Sequence, residues 1–130
     1  MKSIGIICEY NPFHLGHKKQ IDIIAAAEFI ESNTAISVYR GEPFTQLKAI
    51  AAKAADEMLR LKGIETSFVL YQQDGAIHIS ARSEGDANVQ LIMEQMGGGG
   101  HRSAAGTQLE GVTLDEAYAQ LMQNLQQPQQ

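Results

Sequence analysis

The chain has 130 residues, 44% of them apolar, a formal net charge of -5, no Trp and a single cysteine, Cys8. That length suits one domain, or a small domain with an added segment, and suffices to bury a core of Ile, Leu, Val, Ala and Met without covalent staples. The acidic balance excludes a broad basic grip on long nucleic acid, the lone cysteine excludes an internal disulfide and fits a reducing cytoplasm, and no apolar run reaches the length of a membrane span, so no membrane contact is expected.

Ser3 to Cys8 is a short apolar run and reads as a buried strand. Pro12 ends it, since proline lacks an N–H and biases Asn11 to an extended turn. A helix is predicted from His17 to Ser32, with Ile21, Ile24, Ala25, Phe29 and Ile30 on its apolar side. Thr34 to Tyr39 is a β-branched strand, and Arg40-Gly41-Glu42-Pro43 is a turn. Leu47, Ile50, Ala51, Ala54, Ala55, Met58 and Leu61 then recur at helical spacing, with Gly63 as the stop.

Asp74-Gly75 between two alternating runs predicts a hairpin of Thr66–Gln72 and Ala76–Ser83. In its second strand Ile77, Ile79 and Ala81 face one way, and His78, Ser80 and Arg82 the other. Val89, Ile92, Met93 and Met96 mark a helix from about Asp86, Ala104 to Leu109 a strand, and Thr113 with Glu116 a capping box for a last helix. Residues 127–130 read as a disordered, low-complexity tail. The expected fold is α/β: a mixed β-sheet with a hairpin, packed by helices, in the order β-α-β-α-β-β-α-β-α.

Gly97, Gly98, Gly99 and Gly100 separate the predicted helix from the next strand and are followed by His101 and Arg102. Without Cβ atoms the backbone can lie against a ligand, and successive free N–H groups form a concave nest for an anion. Arg102 adds a fixed positive charge suited to phosphate. A plain flexible linker is the alternative. Ser80 and Arg82, on one face of the hairpin strand, with Ser83 at its end, are candidates for a second phosphate or a ribose; a solvated strand face is the alternative.

Ile79-Ser80-Ala81-Arg82-Ser83, Asn88–Met93, Gly97–His101 and Ala104-Ala105-Gly106 together resemble the DHH-associated domain, the C-terminal substrate-binding domain of DHH-family phosphoesterases. The likeness is greatest to cyclic-di-AMP phosphodiesterases, then to the short-oligoribonuclease branch, and covers about residues 24–126. It implies that Ser80, Arg82, Ser83, Gly98, Gly99, Gly100, His101 and Arg102 bind the substrate, an adenine dinucleotide or short oligonucleotide. It further implies a partner DHH domain holding Mn2+. This chain has no Asp-His-His sequence, so no catalytic residue, metal ligand or cofactor is assigned to it.

The first residues point elsewhere. His14-Leu15-Gly16-His17 follows a strand and a proline turn, where a helix N-terminus favours phosphate; two surface histidines near a turn are the alternative. Gly5 to His17, with Arg40-Gly41-Glu42-Pro43, resembles the opening of the tRNA(Met) cytidine acetate ligases of the HxGH nucleotidyltransferase superfamily. That resemblance implies ATP binding by His14, Gly16, His17 and Arg40. Residues 1–23 are therefore expected as an HxGH-like segment and 24–126 as the DHH-associated domain. Three readings stand: a nucleotide-binding module, an ATP-binding nucleotidyltransferase fragment, or an inactive chimeric or designed mosaic. The enzyme reading requires Ser3–Cys8 and Thr34–Tyr39 to be adjacent parallel strands; the module reading requires the glycine run to line the main cleft.

Overall fold

A computed structural model of the protein describes residues 12–31 and 33–126, with side chains from Gly16 onward. Helix α1 (Pro12–Ala25) starts at a proline, whose fixed φ and missing N–H suit a first helical turn. This corrects the expected helix of His17–Ser32. The helix stops at Ala25, and Glu28–Ile30 forms a short strand, β1, antiparallel to β2 (Thr34–Val38). Glu31, at φ 52°, lies in the turn between them. Pairing of Phe29 with Ala35 and Ile30 with Thr34 overrides helical continuation, as aromatic and β-branched residues fit a pleated surface. The apolar side shifts with it: Ile23 is buried, whereas Ile21 and Phe29 are 53% and 58% exposed. The expected strand Ser3–Cys8 lies outside the described residues.

Helix α2 (Leu47–Met58) crosses over to β3 (Thr66–Gln73), which pairs in parallel with β2. Every other pairing among the described residues is antiparallel. Strands β3 and β4 (Ala76–Ser83) form the predicted hairpin, with Asp74 at φ 54° and Gly75 at φ 78° in its turn. Two consecutive positive φ angles match the twist of the flanking strands. Asn88 caps α3 (Val89–Gln95) by accepting the Gln90 N–H. The two-residue β5 (Gly99–Gly100), then β6 (Ala104–Glu110), bring the described strands to a six-stranded sheet of order β1-β2-β3-β4-β6-β5. The last described element is α4 (Leu114–Gln126), which opens on the expected capping box: the Glu116 N–H donates to Thr113 Oγ1 and the Thr113 N–H to Glu116 Oε1.

Strand alternation splits the core in two. Phe68, Leu70, Ile77, Ile79 and Ala81 point to one face, against Val89 and Met93 of α3 and Ala117 and Leu121 of α4. Ala35, Val69 and Tyr71 point to the other, against Ile23 of α1 and Leu47, Ala51, Ala54 and Met58 of α2. Two buried hydroxyls tie this second layer down. Ser37 Oγ donates to Ile23 O and Ser67 Oγ to Ala55 O, both at 2.6 Å. The boundary expected after residue 23 thus falls inside α1, beside a residue buried in the α2 core.

Candidate functional site

Beyond α2 the second face of the sheet is left half-covered. His78, Ser80 and Arg82 of β4 point to it, and the register sets Gln108, Gly106 and Ala104 of β6 opposite them. Gly106 has no side chain, so the floor sinks there. A cleft of about 450 Å3 results, lined by Ser80, Arg82, His78, Gly106 and Gln108, with Tyr71 beneath, Lys48 and Ala52 of α2 as one wall and Gly98 as part of the rim.

Arg82 is held at two points. Its Nε donates to Asp56 Oδ1 at 3.0 Å and its Nη1 to Ala81 O at 2.9 Å, and its side chain is only 20% exposed. No hydrogen bond engages its Nη2 among the described residues. Asp56 balances the guanidinium charge, so Lys48 supplies the net positive charge of the cleft. The His78 ring stacks on Tyr71 with centroids 5.0 Å apart and planes 7° from parallel, and its Nε2 lies 3.1 Å from Gln73 O. Burial pushes the Tyr71 hydroxyl above its ordinary pKa, and the hydrogen bond with Ser80 pulls it partly back.

Of the residues singled out from sequence, Ser80, Arg82 and Gly98 meet in this cleft. Ser83 does not: it is buried, and its hydroxyl donates to Arg102 O at 2.6 Å. His101 and Arg102 are exposed on the turn beyond β5, outside the cleft, with Arg102 Nη2 on Gly85 O. Lys48, Tyr71, His78 and Gln108 were not anticipated as site residues. For His78 a signal existed, because alternation already set it beside Ser80 and Arg82; for Lys48 only the tertiary fold could supply one.

The expected nest of free amides is overturned. The Gly97 N–H donates to Glu94 O at 3.1 Å, the Gly98 N–H to Met93 O at 2.8 Å and the His101 N–H to Ala104 O at 2.7 Å. Gly99 and Gly100 form β5 and pair with Gly106 and Ala105 of β6. The run therefore closes α3 and lays an edge strand on the sheet, which consumes donors that a nest would need free. Glycine is required there by close approach: a Cβ on Gly98 would sit 2.1 Å from Gly106 O, and one on Gly100 2.6 Å from Ala104 O.

The residues of the HxGH segment are dispersed. Gly16 is buried against α2, and His17 is exposed beside a smaller hollow between α1 and α2. His14 belongs to α1, but its side chain lies outside those described. Arg40 is ion-paired with Asp115 at 2.6 Å and lines a different hollow, with Val38 and Tyr118. Over Thr34–Ile36 both flanks of β2 are filled, by β1 and by β3. The parallel neighbour required by the enzyme reading, Ser3–Cys8, lies outside the described residues. Among the described residues no three His, Cys, Asp or Glu side chains gather as a metal cluster, and no helix is long and apolar enough to cross a membrane.

A mixed sheet with an open polar face beside a glycine edge defines the domain, and its family can be stated. The DHHA1 domain model matches residues 34–127, and the chain belongs to that family. A HIGH Nucleotidyl Transferase model matches residues 1–53. Cyclic-di-AMP phosphodiesterase PdeA of Listeria monocytogenes is 57% identical over 74 residues, covering 56% of this chain and 11% of that protein. Cyclic-di-AMP phosphodiesterase GdpP of Geobacillus thermodenitrificans is 51% identical over 75 residues, covering 57% and 11%. The chain thus spans 11% of the length of either relative. The crystal structure of an exopolyphosphatase-related protein from Bacteroides fragilis shares the fold, with a TM-score of 0.73 and 22% identity over 85% of this chain and 34% of that one.

Proposed function

We propose that the chain is the substrate-recognition module of a DHH-type phosphodiesterase, and that its cleft takes the phosphates of cyclic-di-AMP or a short oligonucleotide. The observation that carries this is the convergence of Arg82 and Ser80 from β4, Lys48 from α2 and the Gly98 rim on one hollow. Arg82, fixed by Asp56, offers Nη2 to a phosphate oxygen with little rotamer entropy left to lose. Lys48 adds a mobile point charge, and Ser80 and Gln108 add neutral donors. Of the glycine-rich run, Gly98 contributes a low backbone rim rather than an amide grip.

Hydrolysis would be supplied by a Mn2+-bearing DHH domain elsewhere in the same or another polypeptide. The residues described here do not fit that metal, and no catalytic step is assigned to them. Adenine dinucleotides bind at micromolar affinity or weaker, about 8 kcal/mol or less. Isothermal calorimetry with cyclic-di-AMP and its linear product tests this. Arg82→Ala is expected to weaken binding by roughly tenfold or more, the worth of one charge-assisted hydrogen bond. Equal heats from variant and wild type would remove Arg82 from the site, and turnover of the dinucleotide by the purified chain with manganese would overturn the module reading.

A further inference from the structure

Helix α2 stands between two hollows. On one flank Lys48 and Ala52 wall the cleft. On the other Gln46, Ala49, Ile50 and Lys53 face α1 across a smaller hollow of about 250 Å3, to which α1 brings Gly16, His17 and Gln20. Helical periodicity produces both flanks: residues 48 and 52 fall on one side, and 46, 49, 50 and 53 on another.

The chemistry of the second hollow parallels that of the first. An ammonium, an imidazole and two carboxamides surround an apolar floor of Ile50 and Gly16. Gly16 sets the spacing, since a Cβ there would come within 3.3 Å of Ile50 Cδ1 and 3.4 Å of Gln46 Oε1. Neither Lys48 nor Lys53 is ion-paired with a carboxylate among the described residues, whereas Arg40, Arg60 and Arg82 each are. Lys19 of α1 is engaged instead over the rings of Tyr39 and Phe44. The crest between the two flanks carries the small side chains of Ala49 and Ala52, so an extended ligand can cross without climbing over a bulky group.

We propose that the α1–α2 hollow is a second phosphate subsite, which a linear oligonucleotide reaches by running from the cleft over α2 to Lys53. This rests on the cleft being the first phosphate site, and it names a linear strand longer than a dinucleotide as the preferred ligand class. A helix with its side chains is about 10–12 Å across, and a stacked strand rises about 3.4 Å per nucleotide. About three nucleotides are therefore needed to bridge the crest, and a cyclic or linear dinucleotide engages the cleft alone.

Calorimetry with cyclic-di-AMP and linear oligoadenylates of two to five nucleotides tests the proposal on the wild type, Arg82→Ala, Lys53→Gln and Lys53→Arg, each checked for an unchanged melting curve. Affinity is expected to step up about tenfold once the strand reaches Lys53, the worth of one further charge-assisted contact. The dependence on salt should steepen by about 0.7 in log–log slope at that same length. Lys53→Gln should erase both steps and Lys53→Arg should keep them. A flat length series, or an equal loss at every length in Lys53→Gln, would overturn the subsite. Arg82-independent binding of the dinucleotide alongside a Lys53-dependent step would overturn the cleft reading alone. No binding by any ligand would remove both.

Discussion

On the α3–α4 side of the sheet, inward-pointing residues of β2, β3 and β4 meet helix: Ile36, Phe68, Leu70, Ile77, Ile79 and Ala81 are all buried in one cluster. On the α1–α2 side the helices cover β2 and β3, and the alternate positions of β4 and β6 remain polar and partly open. Both sides come from the same strands by simple alternation. The closed side secures the fold, whereas the open side presents Ser80, Arg82 and Gln108 to a cleft. The glycine edge sits on the divide, and neighbouring glycines report on different sides of it.

The largest effect is expected at Gly98. A Cβ there would strike Gly106 O at 2.1 Å and Thr107 Cβ at 2.6 Å, and Thr107 is itself buried, with its hydroxyl donated to Met96 O at 2.9 Å. Gly98→Ala must push the strand away from β6 or distort the end of α3. The expected loss is on the order of 3 kcal/mol, the range of overpacking combined with broken buried hydrogen bonds. Urea denaturation would show it as a lower midpoint with little change in slope. A variant as stable as wild type would mean that β5 does not lie directly on β6.

The closed side was the more legible in sequence. Period-two alternation through Ile77, Ile79 and Ala81, helical spacing through Val89, Met93, Ala117 and Leu121, and Asp74-Gly75 are local signals, and the structure keeps each of them. The open side depends on partners distant in sequence. Nothing near Lys48 says that it will face Ser80, and nothing near Gly98 says that Gly106 will lie beneath it. The glycine run was misread for the same reason. A row of glycines permits both a free anion nest and a tightly packed edge strand, and the choice is made by β6, which takes up Gly99 and Gly100. Helix α1 was misplaced because the apolar spacing of Phe29 and Ile30 suits helix and strand alike, and pairing with β2 decided between them.

Tyr71 lies under the open side and gives a smaller, pH-dependent effect. Burial raises its pKa above the ordinary tyrosine value, with the hydrogen bond from Ser80 partly opposing the shift. For a group whose folded pKa is raised, the associated stability is complete below the unfolded value and is lost as pH climbs through the folded one. The wild type should therefore lose stability above about pH 10, and Tyr71→Phe should flatten that part of the curve. Absorbance of tyrosinate would show one late-titrating phenol missing from the variant. Identical alkaline profiles would mean that water reaches the floor of the cleft freely.

Gly99 tests the open side with the least disturbance. It pairs with Gly106, so a side chain there would project to the same face as Ser80, and a Cβ would meet nothing within 4 Å. Its φ lies outside the left-handed region, so Gly99→Ala needs no strained backbone. The substitution should change stability by well under 1 kcal/mol, or raise it slightly by reducing the freedom of the unfolded chain. A methyl group added beside the floor of the cleft can then affect only what enters it. Weaker dinucleotide binding at unchanged stability would place the ligand against β5. Unchanged binding would put the ligand nearer α2, beside Lys48 and Arg82, and would confine the part played by the glycine edge to closing the sheet.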